Sequence, residues 1–135
     1  MKTAILLLSF LYSYYAYGKT PWKLKLTNPK EKIDLVIDLH EESVEVPSME
    51  MFGPMNGYLG GNIYGVWYVT KFKTKDTKAE INLANDLGSE NQKVELVKIN
   101  DSTWNMKFIG PNCVRRVSGK KLIKVPSEYI MKVKK

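Results

Sequence analysis

From Lys19 to the C-terminus, apolar and polar residues alternate with a period of two, and no window longer than about ten residues carries the 3.6-residue spacing of an amphipathic helix. Side chains of a strand point alternately to its two faces, so such a chain buries its apolar residues by laying strands side by side over one core. The chain therefore reads as all-β, with helix at most a minor element.

The first alternating stretch is Trp22, Leu24 and Leu26 with lysines between them, ending at the turn signal Asn28-Pro29. The second places Ile33, Leu35, Ile37 and Leu39 on one face and Asp34 and Asp38 on the other, so the two predict an antiparallel hairpin. Pro47 to Gly61 breaks the pattern with two prolines, four glycines and three methionines, and reads as a long connection of unusual apolar content. Ile63 to Lys73 follows as the most apolar strand, with Ile63, Trp67 and Val69 on one face and Tyr64, Val66, Tyr68 and Phe72 on the other. Ala79, Ile81 and Leu83 mark the next strand. Val94 and Leu96 then give way to Val97 and Ile99, a change of face that predicts a bulge near Leu96. Trp104, Met106 and Phe108 form another strand, and Cys113 to Val117, Leu122 to Val125 and Tyr129 to Val133 complete the set. About seven to nine short strands at regular spacing predict a small antiparallel β-barrel or β-sandwich.

The N-terminus has the layout of a cleavable secretory signal: Lys2, an apolar run from Ala4 to Leu11, and the small-x-small site Ala16-Tyr17-Gly18. The apolar run falls short of the roughly 18 residues a membrane span needs. Residues 1–18 are thus expected to be a signal peptide and 19–135 a single soluble β domain, secreted or periplasmic. Cys113 is the only cysteine, which leaves no partner for an internal disulfide and suits a small buried apolar residue or an intermolecular bridge. Asn100-Asp101-Ser102 would accept a glycan in a eukaryotic exported chain.

The net charge is +7, and the segment from Arg115 onward carries eight basic residues and one acid, which accounts for all of it. Arg115, Arg116, Lys120, Lys121 and Lys124 would give a weak attraction to anionic surfaces. No specific nucleic-acid binding is expected, because these lysines alternate with apolar residues, a pattern that also protects exposed strands from edge-to-edge pairing.

Catalytic groups are scarce. His40 is the single histidine, and a nucleophilic site would need the fold to bring it to Cys113 or a serine. Asp34, Asp38, His40 and Glu42 alternate along one face, but same-face neighbours on a strand lie about 6.5–7 Å apart, too far for one strand to enclose a metal. Glu41 and Glu42 would point to opposite faces, and Gly60-Gly61 leads into a strand rather than the helix of a phosphate loop. No catalytic residue, metal or cofactor is predicted, and a hydrolase built on His40 ranks as a distant third reading.

Methionines and aromatics suit adaptable apolar contacts, and they concentrate in the 47–61 segment and the strand after it. The leading expectation is a non-enzymatic binding protein that holds a small apolar or amphipathic ligand against Met51, Phe52, Met55, Tyr58, Tyr64, Trp67 and Tyr68. The alternative is a protein-interaction or inhibitory module presenting the 47–61 loop to a macromolecular partner. A deep cavity beneath this loop would favour the first; a filled interior with Met51, Phe52 and Tyr58 exposed would favour the second.

Gly65-Val66-Trp67 followed by Arg115 or Arg116 in a late strand resembles the Gly-x-Trp and late arginine of lipocalin-like barrels. The resemblance implies a β-barrel whose arginine packs across Trp67 to close one end, around a cavity for a small apolar ligand. In that family the motif lies on the first strand, whereas here the 22–39 hairpin and the 47–61 segment precede it.

Overall fold

The computed structural model describes residues 22–134, so the signal-like segment lies outside the described residues. The alternating stretches become ten strands: β1 Lys23–Asn28, β2 Ile33–Asp38, β3 Gly57–Gly61, β4 Trp67–Lys75, β5 Lys78–Asn85, β6 Asn91–Asn100, β7 Thr103–Ile109, β8 Arg115–Ser118, β9 Lys121–Lys124 and β10 Glu128–Val133. Eight of them close into an antiparallel barrel in the order β1-β10-β7-β6-β5-β4-β3-β2, while β8 and β9 form a separate hairpin on the excursion between β7 and β10. The barrel, rather than the sandwich, is the architecture. The strand total exceeds the expected nine because β3 is hidden in the segment read as a connection.

Closure depends on seams of unequal length. β1 and β2 match along their whole length, from Lys23 opposite Asp38 to Asn28 opposite Ile33. The ring is completed where Leu26 faces Val133 and Thr27 faces Lys132. β3 meets β4 at only two register pairs, Tyr58 with Tyr68 and Leu59 with Trp67, so β4 runs on past β3 with Lys71, Lys73 and Lys75 at an open edge.

Leu26, Ile33, Leu35, Ile37, Leu59, Trp67, Ile81, Leu83, Leu96, Trp104, Met106 and Met131 fill the interior, each essentially inaccessible to water. Trp22 packs on Trp104 with ring centroids 5.5 Å apart, and Phe108 meets Tyr129 edge-on at 5.7 Å. Burial of large side chains at this density is the main stabilising term, on the order of 25 cal/mol per Å² of apolar surface removed from water.

Three local expectations need correction. The apolar strand begins at Trp67 rather than Ile63, because residues 62–66 turn to bring the backbone N–H of Tyr64 onto the carbonyl of Arg115 at 2.6 Å. A bulge between Val69 and Lys71 shifts the register, so Phe72 pairs with Ile81 and packs on the core with Trp67 and Val69 instead of opposing them. β6 keeps its period through Leu96; Val97 and Ile99 occupy its outer face, and the pairing irregularity falls between Lys98 and Asn100.

Candidate functional site

β2 ends at Asp38, so Asp34, Asp38, His40 and Glu42 do not share one strand face; the last two belong to the loop that follows. Asp38 is almost wholly buried and organises the base of that loop. Its Oδ1 accepts the backbone N–H groups of His40 and Glu41, and its Oδ2 accepts the Ser43 hydroxyl at 2.6 Å. Burial alone would raise its pKa, but these three donors, with the Lys23 charge, outweigh burial and hold the carboxyl below the usual aspartate value. Asn56 closes the same base from the returning strand, accepting the Asp38 N–H and donating its side-chain amide to the Asp38 carbonyl.

Beyond this base, Val44 and Met55 form a two-way backbone bridge, and residues Glu50–Phe52 make a single 3₁₀ turn. The Ser48 hydroxyl reaches Asp86 at 2.8 Å, on the turn between β5 and β6. Val46 is fully buried. The loop is therefore anchored at its base, at its bridge and at Ser48, yet Met51 and Phe52 stand in solvent at 85% and 66% exposure. Glu41, Glu42, Glu45 and Glu50 belong to the same loop and are all exposed, and residues 33–70 contain no lysine or arginine.

The seven predicted ligand residues do not converge. Met51 and Phe52 crown the loop, and Met55 is half-buried at its bridge. Tyr58 and Tyr68 pair across the β3–β4 seam and are half-buried, Trp67 lies inside the barrel, and Tyr64 sits exposed on the 62–66 turn. Tyr58, whose hydroxyl is shifted upward by partial burial and then by the Asp34 charge, lines an open groove of about 860 Å³. This groove runs along β1 and β2, with Lys23, Lys25 and Lys134 mixed among Asp34, Asp38 and Glu45.

Tyr64 and Trp67 line a different cavity, about 340 Å³, together with Leu87, Glu90, Arg115 and Leu122. Gly65 makes its corner possible. Its φ is +76°, and an added Cβ would come within 2.8 Å of the Asp86 Oδ1 that accepts the Val66 N–H. Asn85 braces the same corner, donating to the Tyr64 carbonyl and accepting from the Leu87 N–H. Gln92 holds the opposite wall by accepting the Cys113 N–H and donating to the carbonyls of Lys93 and Ile109. Cys113 is half-buried there, packed against the core.

No protein family, curated protein or solved structure matches the chain.

The two arginines do different work. Arg115 lines the cavity, donates to the Cys113 carbonyl and lies 3.7 Å from Glu90. Arg116 pairs with Glu31 at 3.1 Å, tying the β8–β9 hairpin to the β1–β2 turn. Lys120, Lys121 and Lys124 remain on the exposed hairpin beside Val117 and Leu122. His40 begins the acidic loop, and the cavity that contains Cys113 has Glu90 in its lining but not His40. Among the described residues, no three of the His, Cys, Asp and Glu side chains are grouped as metal ligands. Sequence reading missed Asp38 as the loop's organiser, although an Asp at a strand end followed by Leu-His-Glu-Glu-Ser offers the local backbone N–H groups and hydroxyl by which Asp caps a turn.

Proposed function

We propose that the chain is an exported, non-catalytic recognition module that presents its 39–56 loop to a protein partner. The observation that carries this reading is the exposure of Met51 and Phe52 at the crown of a loop fixed by Asp38, by the Val44–Met55 bridge and by Ser48. Two large apolar side chains held in water are costly to the isolated protein and productive in an interface, where a few buried anchors supply most of the binding energy. Anchoring the loop beforehand lowers the ordering entropy that binding would otherwise consume. The filled barrel beneath the loop favours a surface partner over a ligand enclosed in the interior.

The acids of the same loop indicate the partner's chemistry. Glu41, Glu42, Glu45 and Glu50 fit a protein face whose apolar pocket is rimmed by lysine or arginine, and they would speed encounter in a salt-dependent way. Export is supported by Lys2, the Ala4–Leu11 run and Ala16-Tyr17-Gly18.

The test compares proteins retained from extracellular fluid of the source by the wild type, by the Met51→Ser/Phe52→Ser variant and by Lys120→Glu/Lys121→Glu/Lys124→Glu. A basic partner retained by the first and third, lost from the second and weakened by salt is the expected result. Retention by the loop variant at wild-type strength would exclude the loop as the contact. The loop variant should unfold within about 0.5 kcal/mol of wild type, since neither side chain contributes to the core.

A further inference from the structure

The 340 Å³ cavity lies apart from the exposed crown of the loop and has the size range and mixed lining of a small-molecule site. Its rim exposes Tyr64 at 44%, Leu87 at 61% and Leu122 at 48%, an apolar cluster drawn from three different segments of the chain. In its wall stands Trp67, 1% exposed, whose indole N–H finds no hydrogen-bond partner among the described residues. A buried donor without an acceptor is destabilising, and natural structures rarely keep one without a reason. Arg115, whose Nη1 donates to the Cys113 carbonyl, brings its remaining donors to the same cavity. Its nearest carboxylate, Glu90, is 3.7 Å away, beyond hydrogen-bond distance, and the Glu90 side chain is more than half exposed.

Apolar rim, unsatisfied buried donor and loosely paired guanidinium together call for a ligand with a compact apolar body and an anionic acceptor. We propose that this cavity binds a small amphipathic carboxylic acid, its hydrocarbon part against Tyr64, Leu87 and Leu122 and its carboxylate taken by Arg115 and the Trp67 indole N–H. On binding, the ligand carboxylate replaces Glu90 as the partner of Arg115, and the Glu90 side chain turns to solvent. The backbone around the lining is already braced by the hydrogen bonds of Asn85, Asp86 and Gln92, so admitting the ligand requires only a side-chain shift that uncovers the Trp67 indole N–H, which is closed to solvent in the unliganded chain.

The three tryptophans make the test internal to the molecule. The ¹⁵N-labelled chain is titrated with benzoate and hexanoate, with benzyl alcohol and benzylamine as neutral and cationic controls. The indole signal that Trp67→Phe deletes is expected to move saturably while those of the core residues Trp22 and Trp104 stay in place. Benzoate should bind about tenfold more tightly than benzyl alcohol, and Arg115→Gln should abolish that preference. Glu90→Gln should tighten benzoate by about threefold, because it removes a competing carboxylate. Those opposite signs separate recognition from damage to the fold. The absence of saturable movement at about 10 mM probe, equal movement of all three indoles, equal affinity for the controls, or an Arg115→Gln variant that still prefers benzoate would each overturn the proposal.

Discussion

Gly57→Ala is expected to lower unfolding stability by about 3 kcal/mol or more, enough to remove a large part of what a domain of this size possesses. Gly57 opens β3 at φ +149°, a conformation that disfavours any side chain. Space is the larger obstacle. A Cβ at this position would collide with the Val36 carbonyl oxygen and lie 2.8 Å from the Ile37 Cα, both backbone atoms of the paired strand. β2 is fixed on its other side by six register pairs to β1, so it cannot retreat without opening the barrel. Urea denaturation of the variant and wild type measures the effect. A loss below about 1 kcal/mol would mean that β2 and β3 are less closely joined than described.

Asp38→Asn is expected to cost about 2 kcal/mol at neutral pH and to remove a specific part of the acid sensitivity. The carboxylate accepts three hydrogen bonds, two from backbone N–H groups and one from Ser43, and an amide can accept through only one of its two heavy atoms. Because the folded pKa lies below the ordinary aspartate value of 3.8, the stabilising contribution is complete above that pH and is lost as pH falls through the lower folded value. The stability difference between wild type and variant should therefore be constant from pH 7 to about 5 and shrink below about 4. Taking the difference cancels other carboxylates, including Glu80, which the hydrogen bond and charge of Lys93 also shift downward. A difference that grows as the solution is acidified would contradict the assigned hydrogen bonds.

Much of the barrel was legible because its strands obey one rule. The inward residues Leu24 and Leu26, Ile33 to Ile37, Ala79 to Leu83, Val94 and Leu96, and Trp104 to Phe108 are those the alternation selects, and the polar turns between them fall where expected. β3 escaped notice because Gly57-Tyr-Leu-Gly-Gly61 offers a single buried large side chain, Leu59, and glycines that usually mark turns. Phe72 was assigned to the wrong face because one extra residue at Thr70 inverts the alternation, and composition does not announce such an insertion.

The candidate sites were less legible for a different reason. Met51 and Phe52 were recognisable as an apolar excess in a loop, whereas their exposure depends on long-range fastenings such as Ser48 to Asp86. Arg115 was singled out by its position in a late strand, but its neighbours Glu90 and Tyr64 come from distant turns that only closure of the barrel brings together. A strand pattern specifies facing; it does not specify which chain ends meet.

The ring has two short seams, β3–β4 and β1–β10, each of two register pairs, and because a further backbone bond from Lys134 to Lys25 extends the second, β3–β4 sets the order of opening. Every other barrel strand pair between β4 and β7 runs along most of its length, so this four-stranded meander is the cooperative block that breaks last. With two pairs to separate, β3 can leave β4 while β2 still holds it, turning the cylinder into a curled sheet without global unfolding. Amides at this seam should exchange with solvent through a local event of lower free energy than those of β6, and the loop crown rides on the strand that moves first. Partner capture and barrel breathing would then draw on the same hinge, so an interface formed at Met51 and Phe52 would slow exchange in β3 without touching it.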